Sequence, residues 1–133
     1  MKRKAIEIRK SGNGKRAIYI DEENAEEIYQ YIQQDERHRK KFRFITDTIL
    51  AGLRNTEVYD KEEIDDKSKG VTAMKFFKGQ ENDRIYCKEV TKEDKTFVII
   101  ASELHKGKQK QKNKQKEKHI IHKVAGYEYE LEE

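Results

Sequence analysis

Between Lys106 and Lys118 every second residue is a lysine, seven ammonium groups against a single acid, Glu117. Such a density of like charge is stable only in solvent or against a polyanion. Its plain reading is a solvated, flexible stretch. Its chemical reading is a surface that concentrates phosphate by releasing the counterions of a nucleic-acid backbone. A second basic set lies upstream, on two strand-like stretches. Lys75 stands between Met74 and Phe76, so in a strand it points away from both and shares a face with Ala73 and Phe77. Lys78 closes that stretch, and Arg84 opens the next beyond a short connector. In an antiparallel pair these cations meet at one end of a sheet, either as ordinary surface charges or as an anion clamp. Fixed guanidinium and ammonium donors can carry the extra charge of a phosphate transition state.

His105 comes just before Lys106, at the end of the most apolar run in the chain, a position where functional residues gather. His119 and His122 share a helix face at their spacing, but no acid completes a ligand set, so neither a metal site nor a cofactor is expected. Tyr127 and Tyr129 are packing residues or base-stacking platforms. Gly-rich phosphate loops, Ser/His/Asp arrangements and H-E-x-x-H sequences do not occur. Cys87 is the sole cysteine, so it has no internal disulfide partner and reads as a buried, inert strand residue.

These side chains need a scaffold, and the periodicity predicts an α+β one. Ala5–Arg9 and Arg16–Ile20 alternate around Ser11-Gly12-Asn13-Gly14, the pattern of a hairpin. Asp21 fits a helix N-cap, with Glu22 and Glu23 in the first turn. Ala25, Ile28, Tyr29 and Ile32 form one apolar stripe, and Phe42, Ile45, Ile49, Leu50 and Leu53 form another; with a polar joint near Gln34-Asp35 they predict a helical pair, or one bent helix, ending at Gly52 to Asn55. The six acids of Glu57–Asp66, set against Lys61 alone, read as an exposed loop able to close over the basic surface. Val71–Lys78, Arg84–Val90 and Thr96–Ser102 then predict an antiparallel meander. Phe97–Ala101 lacks polar alternation and belongs at its centre, covered on both faces. The strand before it should have a dry face with Ile85 and Cys87, and a wet one with Arg84, Tyr86 and Lys88. Residues 106–123 are helix-prone, and Tyr127-Glu128-Tyr129 alternates as a last short strand.

Composition sets the outer bounds. The 133 residues fit one domain, 1–133, with 106–118 as its lysine-rich segment. Charged residues make up 42% and apolar ones 34%, against about 25% and 45–50% in an average globular chain. The longest wholly apolar run is five residues, Phe97–Ala101, far short of the roughly 20 that cross a bilayer. The basic start, Met1-Lys2-Arg3-Lys4, leads into no apolar stretch, so a secretory signal is not expected and a cytoplasmic location is.

Four stretches together resemble the RelE/ParE superfamily of bacterial toxins, most of all its HigB-like branch. Gly70–Lys78 is similar to the family's strand of basic residues. Asp83-Arg84-Ile85-Tyr86-Cys87 resembles the strand that begins with arginine. Phe97–Ala101, followed by Leu104-His105-Lys106-Gly107-Lys108-Gln109-Lys110, looks like the core strand and its lysine-rich "KKxxK" segment. A C-terminal segment with tyrosine, here Tyr127 and Tyr129, comes last. The likeness spans about residues 16–130, and the helical pair fits the family's order. Gly107 departs from it by standing where a second adjacent lysine is common. No proline follows the lysine segment, the lysine repeat runs further than is typical, and the N-terminal hairpin is an addition.

The resemblance implies a RelE-like fold, in which the N-terminal hairpin and helical pair pack on an antiparallel meander followed by a lysine-rich C-terminal helix. It implies the toxin of a toxin–antitoxin pair, an endoribonuclease that cuts mRNA, usually on the ribosome, and is restrained by an antitoxin protein. No metal or cofactor would be needed and no membrane is implied. A base assists attack of the ribose 2′-oxygen on the adjacent phosphate, cations hold the pentavalent charge, and an acid protonates the leaving 5′-oxygen. By position, Arg84 and Lys75 would stabilise phosphate and Lys78 would place RNA, with Lys106, Lys108 and Lys110 as further phosphate contacts. His105, Tyr127 and Tyr129 are the candidates for proton transfer or stacking, and a lysine with a depressed pKa could also serve as base. A non-catalytic RNA- or ribosome-binding module on the same fold is the alternative, and a poison of gyrase is a third.

Overall fold

A computed structural model describes residues 2–77, 79–107 and 114–131. Strands β1 (Arg3–Lys10) and β2 (Arg16–Asp21) lead into helices α1 (Ala25–Gln33) and α2 (Glu36–Leu50). Then come β3 (Tyr59–Lys61), a 3-10 turn at Asp66–Ser68, β4 (Val71–Phe76), β5 (Asp83–Thr91), β6 (Phe97–His105), α3 (Lys114–Ala125) and β7 (Tyr129–Leu131). The chain is α+β, and its described residues form three α-helices and a seven-stranded sheet ordered β3-β4-β5-β6-β2-β1-β7.

The meander β4-β5-β6 is antiparallel, but the sheet as a whole is mixed. β2 runs parallel to β6, and β7 runs parallel to β1. The N-terminal hairpin is therefore built into the sheet, its second strand wedged between β6 and β1. One face carries α1 and α2. Ile28, Ile32, Ile45 and Ile49 from the helices pack there on Ile18, Ile20, Met74, Ile85, Cys87 and Ile99. Burying each such side chain contributes about 1.5–3 kcal/mol, which lets so charged a chain hold a core. On the other face α3 sets Ile121 and Val124 on Val71, Ala73 and Tyr86. Beside it, Ala17, Tyr19, Val98 and Ile100 cluster with Ala5. β6 is thus covered on both faces, as its unbroken apolar run predicts.

Several local expectations are corrected. Of the helix predicted over 106–123, the described part is α3 from Lys114 onward, and Lys106 and Gly107 are not helical. Asp21 does not cap α1; it ends β2 fully buried, gripped by Arg3 Nε and Nη2 at 2.7 and 3.1 Å. The 57–66 stretch is not a plain loop, since it forms β3 and runs into the 3-10 turn capped by Asp65. Phe77 does not share the face of Lys75. Its φ of +57° breaks the strand alternation and turns the ring onto His38, at 4.9 Å between centroids. Tyr86, predicted on a wet face, is 1% exposed because α3 lies over it.

Candidate functional site

The register brings together three of the residues that the sequence singles out. Lys75 on β4 pairs with Arg84 on β5, and Arg84 pairs with His105 on β6. Directly opposed side chains on adjacent strands lie about 5 Å apart at Cβ, so the three form a row across one face beside the turn that closes the β4-β5 hairpin. Two cations opposed in this way repel each other unless an anion intervenes. Glu62, just past β3, supplies one: its Oε2 lies 3.3 Å from Arg84 Nη1. Burial pushes the Glu62 carboxyl up, while Arg84 and Lys75 pull it down. The Lys75 ammonium donates to the Thr56 carbonyl at 3.1 Å.

His105 is 6% exposed, and its Nε2 is buried without a hydrogen-bond partner. The nearest acid is Glu117 on α3, with Oε2 at 3.6 Å. Burial lowers the imidazole pKa, opposed by the Glu117 charge, so the ring is neutral at neutral pH. The Tyr86 ring lies against it, stacked at 6.3 Å. Burial makes the ring a weaker base but leaves it unprotonated and free to accept a proton, with a carboxylate at hand to steady the imidazolium that results.

The position of α3 fixes Glu117, and polar contacts of three side chains, Lys88, His122 and Lys123, reinforce its apolar seat. Lys88 donates to the carbonyls of Ala125 and Tyr127, at 2.6 and 2.8 Å, capping the helix C-terminus with a cation. His122 meets Asp65 at 2.8 Å, and Lys123 lies 3.7 Å from Glu103.

Lys106 is exposed and follows His105 directly, at the same end of the sheet. Gly107 next to it donates its N–H to Asp83 Oδ1 at 3.0 Å, and a Cβ there would fall 2.1 Å from the Asn82 carbonyl oxygen. A side chain at position 107 is therefore excluded by the backbone of the β4-β5 connector. Lys78, Lys108 and Lys110 lie outside the described residues.

The two tyrosines are placed apart from the row. The Tyr129 hydroxyl donates to Asp21 at 2.6 Å and contacts Ser102 Oγ at 2.9 Å, pinning β7 to the far side of the sheet. The Tyr127 hydroxyl donates to Glu103, and the Arg3 guanidinium covers its ring at 3.8 Å. Burial and these carboxylates push both phenols well above their ordinary value, so neither is poised for proton transfer.

Comparison with protein-family models, curated proteins and solved structures finds no match. Glu62 and Glu117 are the site residues that sequence reasoning passed over. Glu62 is hidden in an acidic stretch, although the charge of that stretch suits it to cover the cations. Glu117 carried a visible signal, being the one acid in a lysine run.

Away from the row, a groove of about 440 Å³ runs along α2, lined by Arg9, Arg39, Lys40, Arg43 and Thr46 among others. Arg9 is engaged by Asp47 at 2.8 Å, and Lys40 by Glu36 at 3.4 Å. Among the described residues no helix is long and apolar enough to cross a membrane.

Proposed function

We propose that this chain is an RNA-cleaving toxin of the RelE/ParE kind, HigB-like in its basic strands, which cuts mRNA at the ribosome and is restrained by an antitoxin. The observation that carries the reading is the cross-strand row Lys75–Arg84–His105. Arg84 and Lys75 take the non-bridging oxygens of the scissile phosphate, displacing Glu62. Neutral His105 accepts the 2′-hydroxyl proton and Glu117 stabilises the imidazolium, while the bond from phosphorus to the 5′-oxygen breaks and that oxygen leaves with a proton from water, giving a 2′,3′-cyclic phosphate. Charge that builds on the phosphorane falls on two fixed cations, the step at which preorganised donors contribute most. Lys106 and the lysines beyond it steer the RNA backbone.

Expression in a bacterium, with transcripts mapped by primer extension, tests this. Growth arrest and discrete cuts are expected, and both should vanish in Arg84→Ala and Lys75→Ala proteins of unchanged thermal midpoint. Soluble protein that neither arrests growth nor cuts RNA refutes the enzyme.

A second reading, a non-catalytic RNA- or ribosome-binding module, draws on the basic groove along α2 and on the low exposure of His105. Salt-dependent RNA affinity without any cutting would select it.

A further inference from the structure

We propose that His38, Glu81 and Asp83 form a binding site for a divalent first-row transition metal ion of the zinc class. A ring nitrogen of His38 and one carboxylate oxygen each from Glu81 and Asp83 lie within 4.8 Å of one another. One imidazole and two carboxylates is a donor set that such ions accept, with the remaining positions left to water.

Two further observations point to a cation there. The first is the environment of His38, which is 5% exposed. Its Nδ1 lies 2.6 Å from Asp35 Oδ1, the carboxylate that also accepts the His38 backbone N–H at 2.8 Å. A carboxylate holding one imidazole nitrogen fixes the tautomer and presents the other nitrogen to a metal, the usual outer-shell support of a histidine ligand. The rings of Tyr31 and Phe77 stand edge-on to the imidazole at 4.9 Å each and limit its rotation.

The second is Asp83, 8% exposed. Its oxygens accept from the Tyr31 hydroxyl at 2.7 Å and the Gly107 N–H at 3.0 Å, both uncharged donors. Among the described residues no lysine or arginine pairs with it. A buried carboxylate of this kind is ordinarily matched by a cation or a metal. Glu81 closes the site from the solvent side. Its oxygens meet Arg37 at 3.3 and 3.5 Å, and a carboxylate retains lone pairs for an ion beside such a partner. The ion would tie the β4-β5 connector to the first turn of α2.

The test uses the full chain freed of metal with a chelator and titrated with zinc, followed by calorimetry and thermal midpoint. One equivalent should bind and raise the midpoint, and cobalt in its place should give visible ligand-field bands. Glu81→Gln, at an exposed position, and His38→Gln should each weaken binding at least about tenfold, and Asp35→Asn by about tenfold through the imidazole it orients. A chain that takes up no zinc overturns the site. So does zinc binding that Glu81→Gln and His38→Gln leave unchanged.

Discussion

Replacing Glu62 with glutamine keeps the side chain's size and removes the carboxylate that sits on Arg84. Opposite unit charges 3.3 Å apart attract by about 5 kcal/mol at an effective dielectric near 20. Desolvation of both groups offsets most of that, since only 22% and 20% of the two side chains remain exposed. Exposed pairs are worth about 0.2–1 kcal/mol, and this less exposed one should stand somewhat higher, at about 1–2 kcal/mol. An RNA phosphate that must displace Glu62 forfeits that amount, so Glu62→Gln should bind a single-stranded oligonucleotide about 5–30 times more tightly. Fluorescence anisotropy across a salt series reads the change, and log affinity against log salt should steepen by about 0.7, one further phosphate contact. Removing any acid makes the protein more basic, so Glu26→Gln on exposed α1 measures the general effect of charge. Adding Arg84→Ala to Glu62→Gln should abolish the gain. If Glu62→Gln binds no better than Glu26→Gln, or gains equally without Arg84, the carboxylate does not mask the site.

Two further outcomes follow from the same geometry. His105 is neutral and its folded value lies below the ordinary 6.5, so between those values the unfolded chain binds more protons. Stability should therefore fall as pH drops through about 6.5. Cleavage should fall on the same acid limb as the base is protonated, whereas His105→Gln removes the limb together with the activity; cutting that is independent of pH below neutrality refutes the base assignment. Tyr129→Phe removes the phenol donor from buried Asp21 and should cost about 1.5–3 kcal/mol in urea unfolding, with cutting per folded molecule unchanged. Lost cutting at unchanged stability would restore Tyr129 to the chemistry.

What the sequence made legible was local and periodic. Apolar spacing finds α1, α2 and the β4-β5-β6 meander, the alternation of Arg84 against Ile85 separates the two faces of β5, and the short connector sets Lys75 and Arg84 at one end of the sheet. The parallel pairing of β2 with β6 was not legible, because strand contacts across 80 residues leave no period in the chain. Phe77 escaped for a sharper reason. Alternation assumes negative φ, and nothing local announces that a phenylalanine will adopt +57°. Asp21 showed the opposite error: a good capping residue next to two acids, drawn out of the helix by Arg3 and Tyr129 from remote strands. Glu62 and Glu117 reach the row only through tertiary placement, Glu62 by the path of the chain after β3 and Glu117 by the seating of α3 on Val71, Ala73 and Tyr86.

The dipeptide Asp83-Arg84 ties these elements to one end of the sheet. Consecutive strand residues face opposite ways, so Arg84 joins the row under α3 while Asp83 turns toward Tyr31 and the α1–α2 layer. Asp83 also accepts from the Gly107 amide, which holds the exit of β6 beside the entry of β5. That clasp sets the level at which His105 stands opposite Arg84. A bulge between Tyr86 and Cys87 lies only two residues further along, where the pairing of β5 with β6 shifts by one. A slip at that point would turn every side chain of one strand to the wrong face. The buried carboxylate on one face thus fixes the register on which the cationic row of the other face depends, and a ligand that tightens Asp83 should order Arg84 as well.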